Sequence, residues 1–219
     1  MLKLYFGPGA CSFVPLAALE IIKAATGDDF EGQLLKLHKG EHLTPEFRAL
    51  NPDCLVPVLL VDGQPLTQIV AIAEYLDARY PQLELFPKEP WARVRALSTM
   101  AWMNNTVHPA FTHVFMPQKF AGDDAAKAEL KSHNLPLFRG YLERIDAEVA
   151  KANPYWNGAK IGFLDLYAVV FLRWAGLAGI DPDSFPAYKA YVDRIAALPP
   201  VAAALAHERQ PLHYFKKAA

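Results

Sequence analysis

Pro57-Val-Leu-Leu-Val61, Asp62-Gly63, Gln64-Pro-Leu-Thr67 is the stretch on which the fold turns. Two short runs flank an Asp-Gly pair, the dipeptide that best accepts the positive φ values of a two-residue type I′ turn. The segment therefore predicts an antiparallel hairpin. Pro65 has no N–H to give to a ladder, so the second arm is expected at the edge of its sheet.

On the N-terminal side, Leu2–Phe6 reads as a strand ended by Gly7-Pro8-Gly9. Ser12, an N-cap residue type, precedes the apolar stripe Val14, Leu16, Ala17, Leu19, Ile21 and Ile22. That spacing predicts a helix to about Ala25, broken by Gly27-Asp28-Asp29. A second strand is expected over Gln33–Leu37, and Thr44-Pro45 should open a brief helix through Leu50, with proline at its first position. After the hairpin, Ile69, Ile72, Ala73 and Leu76 share one face of a helix running to about Tyr80. The order β-α-β-α-β-β-α is that of a thioredoxin-like α/β domain, expected over residues 1–80.

The chain then changes character. Prolines 81, 87 and 90 mark residues 81–90 as a linker, and residues 91–219 carry no comparable strand signal. This second part is expected to be all-helical. Trp91–Met116 should be one long helix kinked near Pro109, and Asp123–Asn153 another, interrupted at Pro136. Phe163–Ala175 is apolar nearly all round and should be buried. Ser184–Leu198 reads as a further helix with Ser184 as N-cap and Pro186 early in its first turn.

Composition bounds the function. Hydrophobic residues make up 53% and charged ones 21%, ample for a packed core, and the net charge of −1 gives no electrostatic case for nucleic acid or an anionic membrane. The longest apolar run, near Leu164–Trp174, contains Asp165 and Arg173, which argues against a membrane span. Two cysteines are too few for a disulfide framework, and the opening residues Met1–Gly7 lack a secretory pattern, so a reduced cytoplasm is expected. No metal site is expected among the seven histidines.

Five segments in order carry a resemblance: Tyr5-Phe-Gly-Pro-Gly-Ala-Cys11-Ser12, Asn51-Pro-Asp-Cys-Leu-Val-Pro57, Leu66-Thr-Gln-Ile-Val-Ala-Ile72, Val107-His-Pro-Ala-Phe111, and Gly158…Gly162-Phe-Leu-Asp165. Together they make the chain similar to the glutathione transferases, specifically the bacterial beta class. The resemblance implies a cytoplasmic homodimer that uses glutathione as co-substrate and joins its thiol to a small electrophile in detoxification. It implies that Cys11, with Ser12 beside it, meets the glutathione sulfur. Val56 and a cis Pro57 would pair with the cysteinyl backbone, Lys39 (or His38 beside it) would meet the glycyl carboxylate, and Gln68 with residue 69 would grip the γ-glutamyl group. His108 would line the electrophile pocket with Asn105 and Phe111.

The residues themselves leave alternatives. Cys11 stands where a strand turns into a helix, a place that favours thiolate and predicts a pKa below about 8.5; a lone cysteine is also a common small core residue. His108 before Pro109 can polarise a ligand or satisfy carbonyls freed by the proline. Asp165 reads as the N3 half of a capping box for the buried helix, with Gly162 at the N-cap. Two departures from the family pattern stand out: Ile69, where a hydroxyl is usual, and Cys54, placed within possible reach of Cys11. Ile69 is expected at the exposed start of its helix, weakening the γ-glutamyl subsite. Three functions follow: a transferase, a thiol-disulfide oxidoreductase acting through Cys11, and a binding or scaffold protein with a decayed site.

Overall fold

The computed structural model describes residues 1–215. Strand β1 (Leu2–Phe6) leads into α1 (Phe13–Thr26), β2 (Phe30–Leu34), α2 (Pro45–Leu50), the hairpin β3 (Val58–Val61) and β4 (Gln64–Thr67), and α3 (Ile69–Arg79). The sheet order is β2-β1-β3-β4, with β1 and β2 parallel and the other pairs antiparallel. Asp62 and Gly63 take φ values of 49° and 86°, as the type I′ reading requires, and Pro65 lies on the edge strand. This is a thioredoxin-like domain, followed by a helical one.

Strand β2 starts three residues before the expected Gln33. Gly27 ends α1 at φ 80°, Asp29 accepts from the Phe30 N–H at 2.9 Å, and Phe30 pairs at once with Leu2. An edge strand with exposed Glu31, Gly32 and Gln33 has little apolar pattern, while the more apolar Leu35 and Leu37 lie past its end. Leu35 instead joins Phe47 and Val58 in a small separate cluster.

The helical part comprises α4 (Pro90–Trp102), α5 (His108–Phe115), α6 (Asp124–Val149), α7 (Phe163–Leu177), α8 (Pro186–Ala196) and α9 (Pro199–Glu208). The kink expected near Pro109 is a π-type turn at Met103–Val107, where the His108 N–H bonds the Met103 carbonyl five residues back. Pro136, by contrast, does not interrupt α6. An interior proline costs about 3 kcal/mol, and burial of Phe138, Leu142, Ile145 and Val149 on the following turns outweighs it.

Ser184 is not the N-cap of α8. It sits in a short 3-10 turn, Pro182–Ser184, and donates to Asp181 O; Phe185 occupies the cap and Pro186 the first helical position. Helix α9, opened by Pro199, was not anticipated, although Pro-Pro followed by Val201-Ala-Ala-Ala-Leu205 is a proline start on a good helix former.

Helix α7 is the centre of the helical part, buried from Phe163 to Ala175. Asp165 anchors its start. One carboxylate oxygen accepts from the Gly162 N–H at 2.6 Å; the other accepts from the Trp156 N–H at 2.9 Å and from the Tyr191 hydroxyl. Glycine stands at residue 162 because a Cβ there would come within 2.4 Å of the Leu85 carbonyl oxygen. The close crossing of the chain past this helix start excludes a side chain at the N-cap.

Candidate active site

The β1–α1 turn, the loop before β3, the start of α3 and the turn before α5 converge on a cleft of about 100 Å³. Cys11, Val56, Pro57, Thr67, Gln68 and Ile69 form its sheet side, and Asn104 and His108 its helical side. Asn51, Asp53 and Leu55, which sequence reasoning did not single out, complete it. Their signal was the Asn51–Pro57 motif itself: Asn51 Nδ2 donates to Leu55 O at 2.8 Å, and its Oδ1 accepts from the Asp53 N–H at 3.2 Å, which shapes the loop.

Cys11 lies just ahead of α1, with its thiol directed to Val56 O at 3.7 Å. Its side is buried, and burial pushes the thiol up to about 12, more than the Cys11 and Ser12 backbone N–H groups can offset. The low pKa expected from the helix terminus is thus reversed by desolvation. Ser12 does not line the cleft: its hydroxyl accepts from the Gly7 N–H at 3.0 Å and closes the turn. The same turn is tied to α7 through Trp174 Nε1, which donates to Gly9 O at 2.8 Å. Cys54 is a second buried free thiol, at φ 54°, directed to Pro52 O.

The Val56–Pro57 bond is cis, as the resemblance implied; Asn153–Pro154 is also cis and was not foreseen. Gln68 has φ 70° and ψ 120°, a sparsely populated conformation for a side-chain-bearing residue, immediately before the first turn of α3. Ile69 is 4% exposed and belongs to the main core, contrary to the expected exposed position. Its neighbours Leu66, Ile72 and Leu76 share that core. Lys39 and His38 are exposed on the 3-10 turn Leu37–Lys39, and neither lines the cleft.

On the helical side, His108 Nδ1 lies 3.1 Å from the Tyr167 hydroxyl, which donates to Asn104 Oδ1 at 3.3 Å. Trp174 meets the imidazole edge-on at 4.7 Å and Phe111 stacks on Trp174 at 4.3 Å. Burial, helped by the Lys119 ammonium, lowers His108 to about 4, so the ring is neutral at physiological pH. Asn104, not the expected Asn105, is the companion of His108. In the wide turn a spacing of four to five residues, not three, returns to the same face, and Asn105 is left exposed.

His38 and His42 do stand in an H-x-x-E-H spacing, which the sequence reading overlooked. Such ligands converge only on one helix; here Gly40 at φ 73° divides the segment, and Glu41 accepts from the Lys36 N–H at 2.7 Å. Among the described residues no group of three or more His, Cys, Asp and Glu could hold a metal ion, and no helix is long and apolar enough to cross a membrane. A wider depression of about 260 Å³ lies outside α8, but Lys189 there is committed to Asp193 at 2.7 Å.

Two family models cover this arrangement: glutathione S-transferase N-terminal domain at residues 1–78, and glutathione S-transferase C-terminal domain at residues 103–199. The chain belongs to the glutathione S-transferase family. Among relatives, glutathione S-transferase GST-4.5 of Xanthomonas campestris is 32% identical over 209 residues, covering 94% of this chain and 98% of the relative. A sphingomonad glutathione S-transferase complexed with glutathione is 33% identical, with TM-score 0.78 and coverage of 95% of this chain and 100% of that one. The bacterial beta class enzyme of Sphingomonas chungbukensis is 31% identical, with TM-score 0.79 and coverage of 94% and 98%. The transferase is therefore of the bacterial beta-class-like kind, and its cleft lies where the two family domains meet.

Proposed function

We propose that this transferase joins the thiol of glutathione to a small electrophile at the cleft between β1–α1 and α5. The observation that carries the reading is the convergence of Cys11, Val56 and Gln68 from the sheet side with His108 from the helical side on one cavity. Residues 1–80 would hold the tripeptide, residues 91–219 the electrophile, and residues 81–90 would join them. Val56 would pair with the cysteinyl backbone, and Lys39 would meet the glycyl carboxylate from its exposed turn. Gln68 and the N–H groups opening α3 would hold the γ-glutamyl carboxylate, aided by the positive end of that helix. The protein would work in the cytoplasm as a homodimer.

Ile69 supports a weakened γ-glutamyl subsite. Its buried side chain has no donor to give, and one hydrogen bond to a charged group is worth about 1.5–3 kcal/mol. The high thiol pKa of Cys11 counts against an oxidoreductase that attacks through that residue, because the thiolate is the nucleophile. Calorimetric titration with glutathione, paired with conjugation to chlorodinitrobenzene, tests the proposal. Saturable binding and glutathione-dependent product are expected; absence of binding at millimolar glutathione sinks it and favours a binding protein for another ligand.

A further inference from the structure

The hydrogen bonds around His108 have a direction. Tyr167 is fully buried on α7, and its hydroxyl has one proton to give. Asn104 Nδ2 donates to Asn105 Oδ1 at 2.9 Å, which turns Asn104 Oδ1 toward Tyr167 at 3.3 Å. A carbonyl oxygen only accepts, so the Tyr167 proton is spent there. What remains for His108 Nδ1, at 3.1 Å, is a lone pair on the Tyr167 oxygen. Nδ1 must then carry the hydrogen, and a neutral imidazole has only one N–H.

We infer that Tyr167 and Asn104 are positioning residues which fix His108 in its Nδ1–H tautomer and leave the Nε2 lone pair to take the thiol proton of the co-substrate. The inference deepens the transferase reading and rests on it for the identity of that thiol; the tautomer itself does not depend on it. Nε2 has no protein partner among the described residues, although His108 lines the cleft. The ring plane is held by the Trp174 edge contact, and Trp174 is held by Phe111 and by Gly9 O. Burial keeps the ring uncharged, so the lone pair is available across the physiological range.

The step balances. The S–H electron pair forms the S–C bond while the proton moves to Nε2 in the same step, because a ring lowered to about 4 is too weak a base to ionise the thiol beforehand. The pair of the bond broken at carbon departs with the leaving group. The imidazolium then returns its proton to that group or to water.

The test reads the tautomer directly, by long-range ¹H–¹⁵N correlation of the histidines, with His108→Gln assigning the signal. In the unaltered protein the His108 proton is expected on Nδ1. Asn104→Ala frees the Tyr167 proton to be donated to Nδ1, so the tautomer should switch to Nε2–H. Tyr167→Phe should also remove the preference for Nδ1–H. Both variants should lower kcat for conjugation by about tenfold or more, toward the hundredfold loss typical of a missing general base, with KM for glutathione nearly unchanged. Asn104 lies on a partly exposed turn, so its variant carries the test if Tyr167→Phe fails to fold. An Nε2–H tautomer in the unaltered protein, or Nδ1–H persisting in Asn104→Ala, overturns the inference. A protein that makes no conjugate but holds Nδ1–H refutes the transferase reading and leaves the tautomer assignment standing.

Discussion

On the sheet side of the cleft, the loop before β3 and the start of α3 offer backbone groups held by local turns. On the helical side Asn104, Tyr167 and His108 offer side chains linked by hydrogen bonds across two helices. The two walls differ in what can disturb them. Backbone donors do not titrate, and the Cys11 thiol on this side is pushed up to about 12, so in neutral and acid solution the sheet wall is sensitive to the volume and dihedral angles that fix its chain path. The helical wall contains a buried ionisable ring, so it is sensitive to protons. Substitutions and pH should therefore separate them.

The largest effect is expected at Ile69. Because this side chain is 4% exposed and packed in the main core, Ile69→Ser does more than restore a missing donor. Truncating a buried isoleucine costs about 2–5 kcal/mol, and the new hydroxyl must find a partner. Urea unfolding should show that loss, while glutathione affinity rises by no more than about tenfold, since the weakened scaffold offsets part of a charge-assisted bond. An unchanged urea midpoint would mean that the sheet wall does not depend on core volume here.

The second effect belongs to the helical wall and appears only in acid. The His108 pKa falls from 6.5 to about 4 on folding, so between these values the unfolded chain binds a proton that the folded one does not. Stability should thus be lost as pH falls from about 6.5 toward 4, at about 1.4 kcal/mol per unit and about 3 kcal/mol in all. Relative to the unaltered protein, His108→Gln should lose less stability over that window. Parallel acid limbs in the two proteins would remove the distinction between the walls.

The same contrast explains what the sequence made legible. Asp62-Gly63, Pro65 and the Asp165 cap were readable because turn and cap chemistry is local: a residue type nearly dictates its own φ or its own partner. The cis bond at Pro57 was legible only through the family resemblance. Strand β2 was misplaced because an exposed edge leaves little apolar pattern to read. Asn104 was missed in favour of Asn105 because its orientation depends on the phase of a wide turn, which no short motif announces. Desolvation escaped for a related reason. The helix start at Cys11 was visible, but the burial that pushes its thiol to about 12, and the burial of Ile69, come from α7 and the core, distant in sequence. Pro136 taught the same lesson in reverse, since the apolar face beyond it carried α6 through.

The smallest effect concerns Gln68 and isolates the dihedral part of the sheet wall. At φ 70° and ψ 120° this residue sits in a conformation that costs an L-residue of order 1–3 kcal/mol, and glycine reaches positive φ without that cost. Gln68→Gly removes the strain but gives the unfolded chain more freedom, which takes back about 0.4–1 kcal/mol. The net change should be stabilising by about 1 kcal/mol, visible as a raised urea midpoint. The Gln68 side chain is exposed at the cleft, so its removal leaves no core void to oppose this gain. Glutathione should bind more weakly to the same variant, because a proposed partner of the γ-glutamyl group is gone. Opposite signs for stability and affinity are the signature of strain kept for binding. If instead both fall together, the positive φ is supported by contacts of the side chain itself, and this wall is held in the same way as the helical one.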